Sequence, residues 1–543
     1  MFKKLSLVAL CLLMAISLFA SCGNTVVETS STDIATSSEV ASEVTSVEEV
    51  SSEETSSEYV VPTPEMDIAI PLLNQDLANT KRVKILPFGD SFTAISPAAY
   101  RFYLHEMLYE NGNFFQYVGS LECPDERLGG YYKRYQATGG HTVLNAQEVY
   151  KTKIKEIVDY DVMLVLLGGN GYNPSTFESE YETLLNLIFE DNPTAVVFAV
   201  GWINPETAQK TETVVNSFKK KGFDITYVNV FHRDDIVFDS VEDYITHTAE
   251  RGHLNDSGNL KFATALFENI KDKITELNKA GGETKRLPTA VEKITLSKLG
   301  ATVKKGESTY VTYEIFPANA DVKSVKWHTT NPDIAIVNEY GEITGVSKGE
   351  ATITAVSLDG MAKTSMIVTV SDETFKTETV GTKVFEETFN NADNWTNADT
   401  YFSAKANALS LEWSHANLTF TSKNSVQVGE DFTLQFGYAS GKTGNDNLYT
   451  GISFGDYEVR VYNSSKKVSL VYKGEETFSE NTRYHCYEYC TYTLTVKNGT
   501  ATVYRDNQVM LTAPAGGSVS SNLTINYQQK STVAEIDNII IMG

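Results

Sequence analysis

Cysteine is scarce in this chain: five of its 543 residues are cysteines. After Cys22 only Cys123, Cys486 and Cys490 remain, so no disulfide framework is specified, although Cys486 and Cys490 could pair in a loop. There is no Cys-x-x-Cys pair, and the eight histidines lack the paired spacing of metal ligands. The sequence therefore predicts no metal site and no cofactor.

Basic residues are also few. Lysine and arginine together number 45 against 70 aspartates and glutamates, a net charge of -25, and they form no basic patch. Because phosphate binding requires such a patch, the composition argues against nucleic acid as a partner. Hydrophobic residues make up 41% of the chain, enough to build cores. The length predicts about three domains.

The N-terminus has the pattern of an export signal over residues 1–21. Two lysines precede the apolar run Leu5–Phe19, which is too short to favour a permanent membrane span. Phe19-Ala20-Ser21-Cys22 resembles the lipobox of bacterial lipoproteins, with Phe where Leu is usual. The resemblance implies that Cys22 is lipidated and that the protein is extracellular, held at the cell surface by this lipid anchor alone. An ordinary secretory signal that contains a cysteine is the alternative.

Residues 22–79 form the next segment. From Thr25 to Thr63 it is rich in Ser, Thr, Glu and Val and contains no Lys or Arg. Such a stretch cannot bury enough apolar surface to fold, so it is predicted to be a disordered tether. A tether of this kind would hold a folded domain away from the membrane.

Residues 80–280 alternate between apolar runs typical of buried parallel strands and amphipathic stretches typical of helices. This order predicts a doubly wound α/β fold with a covered parallel sheet. The predicted strands are Val83–Phe88, Val162–Leu167, Ala195–Val200 and Ile225–Val230, and the predicted helices are Pro97–Tyr109, Phe177–Phe189 and Asn259–Leu277.

Two motifs in this region carry the residues of a nucleophilic site. Gly89-Asp90-Ser91 follows the first strand, where a tight turn into a helix would expose the serine hydroxyl. Near the end of the region, His253 can act as the base for Ser91, and Glu250 is the candidate carboxylate that orients the imidazole. Taken alone, Gly-Asp-Ser is more often a helix N-cap. The histidine later in the chain reverses that preference.

The order of these motifs resembles the SGNH (GDSL) hydrolase family, in particular its polysaccharide-deacetylating carbohydrate esterases. Gly139-Gly140-His141-Thr142 and Gly168-Gly169-Asn170 fall where the family has its two middle blocks. The resemblance implies a flavodoxin-like α/β fold. It also implies an oxyanion hole made by the backbone N–H groups of Ser91 and Gly140 and the side-chain amide of Asn170. Two departures are Gly171, where the family has Asp, and Glu250, where Asp is usual.

Three further residues are candidates for binding substrate. Trp202 follows a predicted strand and could stack on a sugar, although a core position is about as common for such a residue. Tyr172 has similar status. His141 adjoins the proposed oxyanion hole and could line the pocket, although the default for a lone histidine is a surface or packing role.

The rest of the chain changes to short alternating strands. Residues 288–371 closely resemble the bacterial Ig-like group 2 domain, on motifs that include Gly341-Glu342-Ile343-Thr344-Gly345-Val346, which implies a β-sandwich that serves as a spacer or adhesion module. Residues 376–543 resemble a concanavalin-like (laminin-G-like) jelly roll, for which carbohydrate binding is one expectation. Trp395 and Trp413 could contribute, although aromatic residues in sandwiches more often form the core.

These features predict a surface serine esterase that removes O-acetyl groups from polysaccharide, with acetylated xylan as one candidate. Two alternatives remain open. One keeps the chemistry and changes the substrate, to that of a lipase, a thioesterase or a peptidoglycan O-acetyl esterase. The other is a non-catalytic surface protein that binds glycans or other cells.

Overall fold

A computed structural model provides the structure of the protein. It describes residues 72, 75–94, 99–155, 158–239, 243–244, 253–281, 288–396, 402–403, 408–411, 417–440, 447–462, 467–482, 489–528 and 534–543. The predicted signal segment, the tether and Cys22 lie outside these residues, as do Glu250, Trp413 and Cys486. In the part of the chain that is described, no helix is both long and apolar enough to cross a membrane.

Strands and helices alternate over residues 83–279, which we call the α/β segment. Its strands are β1 (Val83–Gly89), β2 (Phe115–Tyr117), β3 (Leu121–Glu122), β4 (Arg134–Ala137), β5 (Val162–Leu166), β6 (Val196–Val200) and β7 (Ile225–Val228). Its α-helices are α1 (Ser91–Ala94), α2 (Tyr100–Glu110), α3 (Val143–Val149), α4 (Phe177–Asp191), α5 (Pro205–Lys220) and α6 (Asp256–Lys279). A 3₁₀ turn covers Gly130–Tyr132, and a π-helical turn covers Tyr150–Ile154.

The strands of this segment form one sheet in the order β3-β4-β1-β5-β6-β7, with β2 also paired to β1. All pairings are parallel except that of the short strand β3 with β4. Alternate side chains enter two separate cores: Ile85 packs with the residues of α2 and α6, whereas Leu86 packs with those of α3, α4 and α5. Helices therefore cover both faces, and the predicted doubly wound α/β fold is confirmed.

The Ig-like segment, residues 290–374, contains nine strands. They are β8 (Lys293–Leu296), β9 (Gly300–Lys305), β10 (Ser308–Tyr310), β11 (Tyr313–Phe316), β12 (Val325–Thr329), β13 (Ala335–Val337), β14 (Glu342–Gly345), β15 (Gly349–Ser357) and β16 (Lys363–Thr374). They pair as β12-β15-β16-β9, β10-β14-β13 and β11-β8. Their buried side chains, such as Ile343 and Ile353, belong to the same apolar cluster as the side chains beneath α2 and α6.

The C-terminal segment, residues 383–542, consists of strands in its described part. They are β17 (Lys383–Glu387), β18 (Phe402–Ser403), β19 (Ala408–Leu411), β20 (Leu418–Val428), β21 (Phe432–Ser440), β22 (Tyr449–Phe454), β23 (Tyr457–Tyr462), β24 (Val468–Tyr472), β25 (Glu475–Phe478), β26 (Cys490–Lys497), β27 (Thr500–Arg505), β28 (Gln508–Pro514), β29 (Val519–Tyr527) and β30 (Ala534–Met542).

These strands form an eight-stranded sheet, β18-β19-β30-β21-β26-β27-β28 with β17 beside β30, and a six-stranded sheet, β20-β29-β22-β23-β24-β25. One separate core lies between the sheets, so the segment is a β-sandwich, as predicted. The turn predicted at Asn498-Gly499 joins β26 to β27, and both of its residues have positive φ, 49° and 77°. Trp395 is buried in this core and is not a surface platform.

Candidate active site

The site begins at the end of β1, where the chain turns sharply into α1. Gly89 is required there, because a Cβ at this position would lie 2.4 Å from the carbonyl oxygen of Leu166 on the neighbouring strand. Asp90 follows, and Ser91 is the first residue of the one-turn helix. The Ser91 side chain is half-buried. The sequence thus places this hydroxyl at the carboxyl edge of a parallel sheet, where sites of doubly wound folds lie.

Asp90 is completely buried beneath this turn. One carboxylate oxygen accepts from the backbone N–H of Phe92 at 3.1 Å, and the other accepts from the side-chain amide of Asn170 at 3.4 Å. Burial raises the pKa of Asp90 to about 7, against the opposing effect of the Phe92 N–H. Asp90 therefore links the serine turn to the loop that carries Asn170. The sequence interpretation gave Asp90 no role in the site.

Asn170 lies in the loop after β5, at the same edge of the sheet. Its amide nitrogen is 3.4 Å from Asp90 and 3.3 Å from the backbone carbonyl oxygen of His141. These two acceptors orient the amide although Gly171 stands where the SGNH family has a carboxylate. Gly171 has φ of 58°, and a Cβ there would lie 2.6 Å from the Thr142 methyl group. An oxyanion would compete with the His141 carbonyl for the amide of Asn170.

Gly139 and Gly140 form the turn after β4, next to the serine. A Cβ on Gly139 would lie 3.9 Å from the Cβ of Ser91, and Gly140 has φ of 78°, which favours glycine. Within the described residues, the backbone N–H groups of Ser91 and Gly140 have no protein acceptor. These two donors therefore remain available to a ligand beside the Ser91 hydroxyl.

His253 lies next to this turn, close to the residue that follows the serine. Its ring centroid is 5.2 Å from that of Phe92, and the side chain is half-buried. Burial lowers the pKa of His253 to about 4, so the imidazole is neutral at pH 7, the form that a general base requires. No direct hydrogen bond joins Ser91 to His253 in the described structure. The proposed acid, Glu250, lies outside the described residues.

The short connection from His253 to α6 is held by Asp243, a residue that the sequence interpretation missed. The Asp243 carboxylate accepts from Ser257 at 2.7 Å and from the Lys261 ammonium at 2.6 Å, and its backbone carbonyl accepts from Asn255 at 3.0 Å. Burial acts to raise the pKa of Asp243, but the hydrogen bonds, led by that of Lys261, hold it below its ordinary value. No local pattern marks Asp243, because its partners lie 12 to 18 residues further along the chain.

The three predicted substrate-binding residues differ in accessibility. Trp202 is buried, with 8% of its surface exposed; its ring packs on Gly169 and meets the Phe92 ring edge-on at 4.7 Å. It therefore supports the floor of the site and offers little free surface. Tyr172 is half-buried, with its ring against that of Phe177 at 5.3 Å. His141 is also half-buried, and burial lowers its pKa.

The structure thus brings Ser91, Gly140, Asn170 and His141 to one edge of the sheet, with His253 beside them. Each comes from a segment that follows a strand or precedes a helix, and three helices that start near this edge have side-chain N-caps. The caps are Thr142 for α3, Asn204 for α5 and Asn255 for α6. This arrangement has the parts of a nucleophilic site: a hydroxyl, a neutral imidazole and unpaired backbone donors.

Comparisons with known proteins place two of the three segments. Residues 290–368 match the family model of the bacterial Ig-like domain (group 2), which confirms that resemblance. A kappa-carrageenase of Pseudoalteromonas carrageenovora is 35% identical over 85 residues, 15% of this chain and 21% of the relative. The chain therefore spans about a fifth of the length of the curated relative it matches.

Among solved structures, the chain is similar to a family 3 carbohydrate esterase of Clostridium thermocellum. The identity is 23% and the TM-score 0.31, over 36% of this chain and 100% of that one. It is also similar to a carbohydrate-binding module from Bacillus subtilis. Here the identity is 15% and the TM-score 0.21, over 28% of this chain and 96% of the module.

Proposed function

We propose that this protein is a secreted serine esterase that removes O-acetyl groups from polysaccharide. The observation that carries the proposal is the arrangement at the carboxyl edge of the parallel sheet. There the Ser91 hydroxyl adjoins two unpaired backbone N–H groups and lies beside the neutral imidazole of His253. A hydroxyl, a base and preformed donors are the groups that ester hydrolysis through an acyl-enzyme requires.

The proposed reaction has two steps. His253 takes the proton of Ser91 Oγ as the oxygen attacks the acetyl carbonyl, and then gives that proton to the departing sugar hydroxyl. The N–H groups of Ser91 and Gly140, with the amide of Asn170, stabilise the oxyanion. Water, activated by His253, then releases acetate. Glu250 is the proposed carboxylate partner of His253.

The test is Ser91→Ala, assayed on an acetyl ester and on acetylated xylan. We expect hydrolysis to fall by about 10³-fold or more, because the nucleophile is lost, while the unfolding temperature stays unchanged. A fluorophosphonate probe should label the native chain at Ser91 and leave the variant unlabelled. Equal turnover by the two proteins would refute the assignment. A folded native chain that neither reacts with the probe nor hydrolyses any ester would favour the non-catalytic surface protein.

The substrate class is a separate question that a panel of esters answers. We expect faster release of acetate from acetylated xylan than hydrolysis of longer acyl chains. Preference for long acyl chains or thioesters would support a lipase or thioesterase, and preference for acetylated peptidoglycan would support the third alternative. Surface anchoring is proposed from Cys22, and replacement of Cys22 by serine should release the protein from the membrane fraction.

For the C-terminal segment we propose glycan binding, on the outer face of its six-stranded sheet. There Arg460 lies between Glu458 and Glu476, with Nη atoms 2.7 Å and 3.2 Å from their oxygens, and its guanidinium packs on the Tyr449 ring at 4.4 Å. A planar array of hydrogen-bonding groups beside an aromatic ring suits a sugar. Retention of the Ser91→Ala chain on immobilised polysaccharide should therefore weaken when Tyr449→Ala is added.

A further inference from the structure

The Ig-like segment makes a close contact with the α/β segment. The backbone of Gly129, in the loop before the 3₁₀ turn, lies against the backbone of Asp321 in the Ig-like segment. A Cβ on Gly129 would be 1.6 Å from the Asp321 carbonyl oxygen. Across the same boundary Lys326 pairs with Glu106 at 2.7 Å. Because the buried side chains of both segments also form one cluster, the two pack as a single body.

One loop of the Ig-like segment, residues 338–341, reaches the start of α6. The Tyr340 hydroxyl donates a hydrogen bond to the carboxylate of Asp256, the first residue of that helix. Tyr103 of α2 holds the same loop: its hydroxyl donates to Glu339 at 3.2 Å and is 3.4 Å from the hydroxyl of Tyr340. The contact therefore involves the loop backbone as well as one side chain.

A buried arginine supports this contact from the α/β side. The Arg127 guanidinium lies 3.7 Å from the Phe102 ring centroid and 5.2 Å from that of Tyr340, and it pairs with Asp125 at 2.8 Å. Its positive charge also favours the ionised form of Asp256. A fixed charge and two packed rings leave the Tyr340 side chain little freedom.

Asp256 is three residues from His253. On the inner side, Asp243 holds this connection through Ser257 and the backbone of Asn255. On the outer side, the support comes from Tyr340, which belongs to a different segment. We propose that Tyr340 is a positioning residue for His253, so that the Ig-like segment helps to build the active site. This inference rests on the proposed function only where activity is measured.

The test compares Tyr340→Phe with Tyr313→Phe in the full chain. Tyr313 is also half-buried in the Ig-like segment, but its hydroxyl donates at 3.1 Å to Lys323 of the same segment. We expect Tyr340→Phe to lower kcat on an acetyl ester by about 10-fold with little change in KM, because misplacing a catalytic group slows chemistry. Tyr313→Phe should leave both constants near those of the native chain.

An NMR titration of the His253 ring separates this inference from the proposed function, because it needs no turnover. We expect the pKa of His253 to rise in Tyr340→Phe, since a looser connection admits water to a buried imidazole, and to stay unchanged in Tyr313→Phe. Unchanged titration and kcat in Tyr340→Phe would overturn the positioning role. Equal changes in both variants would show a general loss of stability and would overturn it as well. If the chain has no esterase activity at all, the titration still decides the positioning role.

Discussion

The Ig-like segment and the C-terminal segment are both β-sandwiches, yet they join the rest of the molecule differently. Buried side chains of the Ig-like segment share one apolar core with the α2 and α6 face of the α/β segment, whereas the C-terminal sandwich has a core of its own. The described contacts between the two sandwiches include exposed polar ones, such as Asn507 to the Gly306 carbonyl oxygen at 2.8 Å. A domain that shares its core is part of the catalytic body, and the term spacer does not describe it.

The strongest way to break this comparison is to divide the chain. Residues 376–543 expressed alone should fold and unfold cooperatively, because their core is complete. Residues 80–280 alone should aggregate or unfold at a much lower temperature, because removal of the Ig-like segment exposes part of a shared core. Residues 80–375 should restore that stability. Calorimetry of the three fragments measures this. Equal stability of 80–280 and 80–375 would contradict the shared core.

The next largest effect is expected from Gly129→Ala. The added methyl group meets the Asp321 carbonyl, and overpacking of this kind costs about 1–3 kcal/mol. The unfolding transition of the α/β and Ig-like segments should shift down, and that of the C-terminal segment should stay in place. Gly130→Ala is the matched control, because a Cβ there has no neighbour within 4 Å. A similar shift in both variants would point to a general effect of alanine in this turn.

The sequence predicted the parts of the fold whose signal is local. Strands β1, β5, β6 and β7 were each predicted to within two residues, because central strands of a covered sheet are continuous apolar runs. Strand β4, with the sequence Arg134-Tyr135-Gln136-Ala137, lies toward the sheet edge and has no such run. Helix α5 was also missed, because its apolar residues are spread among charged ones. Asn204-Pro205, an N-cap followed by proline, was the available signal.

The candidate site was predictable to the same extent. The rule that carboxyl ends of parallel strands share one edge brings Ser91 and Asn170 together from strand positions alone. The bonds of Asp90 to Asn170, 80 residues away, and of Tyr340 to Asp256, 84 residues away, depend on tertiary packing. Periodicity and motif spacing carry no information about such contacts. The shared core of the α/β and Ig-like segments was hidden for the same reason.

A smaller effect should sharpen the comparison through pH. Burial raises the pKa of Asp90 to about 7 from 3.8, so the folded state binds a proton that the unfolded state has lost. The stability linked to Asp90 is therefore complete below about pH 4 and is lost as the pH rises through 7. Asp90→Asn should flatten this decline for the first transition and leave the C-terminal transition unchanged. Unfolding in urea from pH 4 to 8 measures both. A decline that persists in the variant would assign it to another group.

The smallest effect is expected at the junction of the two sandwiches. Asn507→Ala removes the side-chain bond to Gly306 but keeps the backbone contact, in which the Asn507 carbonyl accepts from Ser308 at 3.3 Å. Because the bond is exposed to water, its loss should change the free energy of unfolding by no more than about 0.5 kcal/mol in either transition. Differential scanning calorimetry would detect a larger shift. A shift of both transitions together would mean that the sandwiches unfold as one unit, and the distinction between a shared and a separate core would then have no thermodynamic consequence.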